Sequence, residues 1–290
     1  MRKRFFFLLA LLAAVPLAAQ NVPSGNLSVA RVGFLGKEVN GTSTLFFLDG
    51  RLWTCNDHGQ LRLFALDTLT GHIDSVVDLG VKVYDLEEVT QDDRYLYFGD
   101  FGDNNGVRND LCILRLAKSD LRKKRYRFDT IAFSYPDRAS GVLARNFDCE
   151  ACTAIGDSLY LFTKQWISQG STCYALPKTP GRHVAKRCFT FSTRGLVTGA
   201  CYLHGSRCLV LLGYNITLQP FLCILEDFDG KSFGSARRLT LDISLGTQAE
   251  GIASRDGRNF FFTNEAFELA FVSRKAALQK IDLRGFMKKK

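Results

Sequence analysis

Residues 147–162, FDCEACTAIGDSLYLF, place an acid in one short strand candidate, then a Gly156-Asp157 turn, then a second, apolar strand candidate. The same grammar recurs at 85–98 (DLEEVTQDDRYLYF) and 248–262 (QAEGIASRDGRNFFF), and more weakly at 42–53 (TSTLFFLDGRLW) and 197–210 (VTGACYLHGSRCLV). Aligned on the acid, the repeated position holds Ser43, Glu87, Glu150, Thr198 and Glu250, with gaps of 44, 63, 48 and 52 residues. Self-similarity near fifty residues, with several short strands per unit, is the sequence signature of a β-propeller.

Four strands fit each unit: 42–47, 51–56, 60–67 and 72–79 in the first, then 87–91, 94–99, 110–117 and 126–134 in the second. The third reads 150–154, 158–164, 172–177 and 184–191, and the fourth 198–203, 208–214, 220–226 and 236–243, with Asp/Gly-rich turns between strands. The fifth supplies 250–254, 259–264 and 269–273 but lacks a clear outer strand before 278–283. The N-terminal candidate at 27–35 is expected to complete it, tying the chain ends together and removing exposed sheet edges. The expectation is an all-β, five-bladed propeller of four-stranded blades, one domain over 20–290. A sixth blade would need about 45 more residues at this period.

The first residues, Met1-Arg2-Lys3-Arg4, precede an apolar run and Leu17-Ala18-Ala19, the pattern of a secretory signal peptide over 1–19. No later stretch approaches the roughly 20 apolar residues of a membrane-spanning helix. An exported protein, periplasmic or extracellular, is therefore expected, as a monomer. The formal charge of +9 overstates the basicity of the folded body, because Arg2, Lys3 and Arg4 leave with the signal and Lys288, Lys289 and Lys290 form a tail. The densest internal run, Arg122-Lys123-Lys124-Arg125, reads as a solvated loop or as a surface for anions. No nucleic-acid-reading module is visible.

Nine cysteines in an exported chain invite a disulfide framework. The repeat argues against part of it: Cys112, Cys173 and Cys223 fall at equivalent third-strand positions, and equivalent strands of neighbouring blades are expected to lie beyond the roughly 7 Å reach of a bridge. Cys149 and Cys152 form a CxxC, but no second pair accompanies it, and strand alternation would put them on opposite faces. The odd total leaves at least one thiol unpaired, and no bridge is assigned.

In a propeller the first strand of each blade lines the channel, so the repeated position becomes a ring. Three carboxylates converging on one narrow channel repel unless compensated. Calcium, which takes six to eight oxygen ligands, fits a set of Ser43, Glu87, Glu150, Glu250 and the Thr198 carbonyl. The other reading has the acids accept hydrogen bonds from neighbouring backbone amides. Polar residues after the second strands, at 56–59, 99–105, 164–166, 213–215 and 263–265, gather at one exit of the channel, where a ligand site belongs. Each alone also reads as a turn former. His58 is a lone candidate base, GDFGDNNG is no phosphate-cradling loop, and no Ser-His-Asp nucleophile is visible.

GDFGDNNGVRND at 99–110, YPD at 135–137, FDCEA at 147–151, DSLYLFTKQW at 157–166, LLGYN at 211–215 and QAEGIA at 248–253 resemble an uncharacterised family of exported bacterial propeller proteins. The order Ser, Glu, Glu, Thr, Glu is also similar, more distantly, to the central calcium ring of calcium-activated apyrases, five-bladed propellers that hydrolyse nucleoside di- and triphosphates. That likeness implies calcium and allows a second function, a calcium-dependent phosphoanhydride or phosphoester hydrolase. There Asp57 or Asp103 would be the base, and Lys164 and Arg108 would neutralise phosphate. The chain departs from those enzymes at two motifs. Their Asp-Asp-Arg-Thr-Gly corresponds to Asn56-Asp57-His58-Gly59 here, and their Lys-Glu-Trp falls on Asp103-Asn104-Asn105. The first expectation is therefore a calcium-centred binding propeller whose ligand is unidentified.

Overall fold

The repeated units close into a ring of five blades in the computed structural model, which describes residues 24–269 and 272–286. The signal-peptide reading of 1–19 and the lysine tail lie outside the described residues. Blade 1 holds Phe46–Leu48, Arg51–Thr54, Gly59–Leu66 and Ile73–Val83; blade 2 holds Leu86–Gln91, Tyr95–Asp100, Cys112–Ala117 and Phe128–Ser134. Blade 3 is Asp148–Ile155, Ser158–Lys164, Gly170–Pro177 and Lys186–Ser192, and blade 4 is Leu196–Leu203, Cys208–Tyr214, Pro220–Glu226 and Ser235–Asp242. Blade 5 runs Ala249–Ser254, Asn259–Asn264 and Ala277–Asp282, with Ala30–Phe34 as its outermost strand.

The N-terminal closure takes a form that alternation alone does not reveal. Residues Ser24–Ser28 first lie parallel to Ser235–Asp242 on the edge of blade 4, and only then does Ala30–Phe34 cross to blade 5. One segment thus staples two blades and covers both edges. The third strand of blade 5 is Ala277–Asp282 rather than 269–273, because Phe267–Leu269 and Val272–Arg274 pair with each other as a small hairpin. The expected strand at 184–191 divides as well: Gly181–Val184 joins blade 2 in parallel, and Lys186–Ser192 stays in blade 3. The basic run follows a single helical turn, Lys118–Arg122, whose Arg122 pairs with Asp49 at the surface. The first strand of blade 1 is shorter than expected, with only a Thr42–Asn56 bridge ahead of Phe46.

Five apolar clusters, one between each pair of adjacent blades, replace a single core. Strand alternation explains why the second strands are apolar throughout. Leu159 and Leu161 face blade 2 while Tyr160 and Phe162 face blade 4; Leu209 and Leu211 face blade 3 while Val210 and Leu212 face blade 5. Both faces of a blade are covered, so neither can be polar.

The innermost strands approach so closely that some side chains are excluded. A Cβ at Gly251 of blade 5 would lie 2.4 Å from the Thr44 carbonyl carbon of blade 1, and one at Gly199 of blade 4 would lie 2.3 Å from the Glu250 carbonyl oxygen. Both obstacles are backbone and cannot rotate away. Gly251→Ala is expected to destabilise the fold by about 1–3 kcal/mol, the usual range for overpacking, measurable as a lower midpoint in chemical denaturation.

Candidate site at the mouth of the central channel

The repeated acids are aimed by a shared backbone irregularity. The ladder between first and second strands shifts register between Leu86 and Glu88, Cys149 and Ala151, Val197 and Gly199, and Ala249 and Ile252. Glu87, Glu150, Thr198 and Glu250, the last together with Gly251, are left without a ladder partner. A β-bulge bends its strand and re-aims a side chain, and here four blades use it at the same place. The same bulge corrects one expectation. Cys149 and Cys152 do not face opposite ways, because the extra residue between them brings both into the cluster between blades 2 and 3.

All five ring residues are buried, the most exposed being Glu87 at 7%. The Lys164 ammonium, at the end of the second strand of blade 3, donates to Glu150 Oε1 at 3.0 Å. It also lies over the Trp166 and Tyr214 rings, 4.8 and 5.4 Å from their centroids. Asp148 hydrogen-bonds Glu150 and accepts from the Trp166 indole at 2.8 Å and the Asp103 backbone N–H at 2.6 Å. A Cβ at Gly102 would lie 2.6 Å from both Asp85 Oδ2 and Glu87 Oε1, so a glycine there lets the 99–105 loop fold over these acids.

The electrostatics are those of an under-compensated acidic well. Burial pushes the Glu150 carboxyl up to about 7, with Lys164 opposing and Glu250 adding to the shift. Burial and then the Glu150 charge hold Glu87 well above the ordinary range. Glu250 is raised by burial, against the pull of Lys164 and with Glu265, Asp57 and Asp148 adding. Burial disfavours the Lys164 charge, yet Glu150, Tyr214, Glu250 and Asp148 together keep it firmly protonated. Among the described residues, Glu250 Oε2 and the Ser43 hydroxyl are buried without a hydrogen-bond partner. The Thr198 hydroxyl instead donates to the Ala249 carbonyl at 2.6 Å, linking blades 4 and 5. No group of three Asp, Glu, His or Cys side chains among the described residues is drawn together tightly enough to hold a metal ion.

The other sequence candidates separate by environment. Asp57 contacts the His58 ring at 2.5 Å and adds to the negative field at Glu250. Asp103 is 2% exposed and fully engaged: one carboxylate oxygen accepts from the Val107 and Arg108 N–H groups, the other from Arg138. Arg108 is held by Asp100, Asp110 and the Gly102 carbonyl. These two therefore shape the 99–110 loop. Lys164, by contrast, stands within the ring. Asn215 is a turn former, accepting from Thr217 and Gln219.

Sequence reasoning missed Asp148, Arg138 and Glu88. The last was legible by comparison across blades: where blade 2 has Glu88, the others have Thr44, Ala151, Gly199 and Gly251. One large acid among four small residues is the signal. Its carboxylate accepts from Val89 N–H at 3.0 Å, from Ala200 N–H at 2.9 Å and from Cys152 N–H. Blades 2 and 4 are not neighbours, so this side chain spans the channel. A separate groove of about 840 Å³ opens between blades 4 and 5, lined by Tyr202, His204, Glu226, Arg255, Asp256 and Arg258. It lies at the turns joining first to second strands, the end opposite the ring.

No known protein family matches the sequence, and no curated protein is similar to it. Solved structures are similar in fold. An alpha-L-arabinofuranosidase from Podospora anserina, solved with cellotriose, matches with a TM-score of 0.54 at 12% identity, over 91% of this chain and 98% of that one. A hypothetical protein from Leishmania major matches with a TM-score of 0.52 at 12% identity, over 88% and 90%. Hydrazine synthase from Kuenenia stuttgartiensis matches with a TM-score of 0.44 at 10% identity, over 87% of this chain and 65% of that one. At 12% identity the likeness to the first two is one of fold alone; the ring of five four-stranded blades makes the class a five-bladed β-propeller. No helix among the described residues is long and apolar enough to cross a membrane.

Proposed function

We propose that this chain is an exported binding propeller whose channel mouth takes calcium and presents a ligand surface on the loops above it. The observation that carries the reading is the pair of buried, unpartnered oxygens, Ser43 Oγ and Glu250 Oε2, in a ring whose carboxylates Glu87, Glu150 and Glu250 face one internal ammonium. The donor set is all oxygen, which suits calcium. Its members are not drawn together around an ion as they stand; Ser43, Glu87, Glu150 and Glu250, with the Thr198 carbonyl, are the residues that would hold it. When bound, calcium supplies charge that neutralises the ring. Lys164 holds Glu150 in place, and Asp148 carries that restraint on to Trp166 and the 99–105 loop. Export rests on the pattern of residues 1–19.

The hydrolase alternative has less support. Asp103 and Arg108 are saturated by their own loop and by Arg138, which leaves Asp57 and Lys164 as the groups near the ring.

The mature protein is expected to melt at a higher temperature with calcium and a lower one with chelator, since a ligand bound only by the native state stabilises it by mass action. Glu150→Gln is expected to weaken calcium binding more than Thr198→Val, because a charged ligand is lost. A melting curve indifferent to both calcium and chelator would sink the reading. Calcium-dependent phosphate release from nucleotides, lost in Glu150→Gln, would move the hydrolase ahead.

A further inference from the structure

The geometry points to Cys173 and Cys188 as a disulfide-forming pair that locks the two outer strands of blade 3. The ladder between Gly170–Pro177 and Lys186–Ser192 shifts register between Cys173 and Tyr174, which pair with Phe189 and Arg187. Cys188 is the extra residue of that bulge, so two residues of the outer strand oppose one of the inner strand. Both side chains lie on the same face of the blade, Cys173 within the apolar cluster between blades 3 and 4 and Cys188 packed against it, so the bulge sets the two cysteines side by side rather than on opposite faces. The Cys173 thiol is near enough to interact with the Cys188 sulfur, which also donates to the Lys186 carbonyl at 3.6 Å.

The pair is also unequal in the way exchange chemistry needs. Cys173 is fully buried between blades 3 and 4, whereas Cys188 is partly exposed. The hydrogen bond from Cys173, with Lys186 on its own strand and Lys231 from blade 4, brings the Cys188 thiol down to about 7 against the effect of burial. Tyr160 of the neighbouring second strand is the other titratable group facing it. Burial pushes Cys55, Cys112, Cys201 and Cys223 up instead, to about 12, 11, 12 and 12. Cys188 is therefore the attacking thiolate and Cys173 the resolving thiol.

The step balances with an external disulfide as oxidant. The Cys188 thiolate attacks one sulfur of that disulfide, its S–S bond breaks, and the departing thiolate takes a proton from water. Cys173 then gives up its proton to water and attacks the Cys188 sulfur, expelling the second thiolate, which is protonated in turn. The protein dithiol loses two electrons and two protons, and the external disulfide becomes two thiols.

The test exposes the folded protein to oxidised glutathione, quenches with acid, alkylates under denaturing conditions and maps tryptic peptides. Peptide 165–178 should appear joined to 188–194, and the nine free thiols should fall to seven (9 − 2). The rate should rise as pH passes through about 7. Cys173→Ser should stop at a glutathione adduct on Cys188, and Cys188→Ser should leave Cys173 reduced. Nine free thiols after exposure at pH 8, a stable glutathione adduct on wild-type Cys188, or a bridge between other cysteines would each overturn the pair.

Discussion

Lys164→Met is expected to destabilise the calcium-free protein by about 3–5 kcal/mol, the range for breaking a buried ion pair by removing one partner. Glu150 and Lys164 are each at most 5% exposed as side chains and stand 3.0 Å apart, so the loss leaves a buried carboxyl without its counter-ion in a channel already crowded by Glu87 and Glu250. Removing both charges should undo much of that penalty. Lys164→Met combined with Glu150→Gln is therefore expected to be more stable than Lys164→Met alone, a non-additivity that a double-mutant cycle in denaturant measures directly. The same variant bears on calcium. The ammonium and the ion neutralise the same carboxylates, so Lys164→Met should bind calcium more tightly than wild type in titration calorimetry. Unchanged or weaker binding would mean that the ring does not take the ion.

Glu88→Ala should be the second large effect, about 1–3 kcal/mol for each buried N–H donor it leaves unmet. Burial pushes this carboxyl well above its ordinary range, while N–H donors from Ala200, Val89 and Cys152 favour its charged form. Truncation strands those donors in a channel that the smaller side chain no longer fills. Because the bonds reach blades 3 and 4 from blade 2, the loss should lower cooperativity as well as midpoint. A Glu88→Ala protein unfolding at the wild-type midpoint would show that the ring closes without this cross-channel tie.

Comparison of the three recurring acids with Glu88 separates what a repeat can reveal from what it hides. Glu87, Glu150 and Glu250 recur, so the period exposes them, and their burial in one ring follows from the architecture that the period implies. Glu88 occurs once. It is visible only as an exception among small residues, and its partners Ala200 and Cys152 lie 112 and 64 positions away in sequence. The N-terminal segment teaches the same lesson. Apolar alternation marked a strand near residues 27–35, but its division between blades 4 and 5 depends on which edges the closed ring leaves unpaired.

The sequence by itself determined the propeller, its five blades and the inner position of the acids, because periodic burial on both faces of every blade must be written into every repeat. Only the tertiary structure decided which charges meet. Lys164, Asp103 and Arg108 all read as site residues, but Lys164 becomes the counter-ion of Glu150 while Asp103 and Arg108 are taken up by the 99–110 loop and by Arg138. The reason is physical. Burial is set locally by strand alternation, but charge compensation is set by distances across the ring, and a bulge in four of the five inner strands fixes where those charges point.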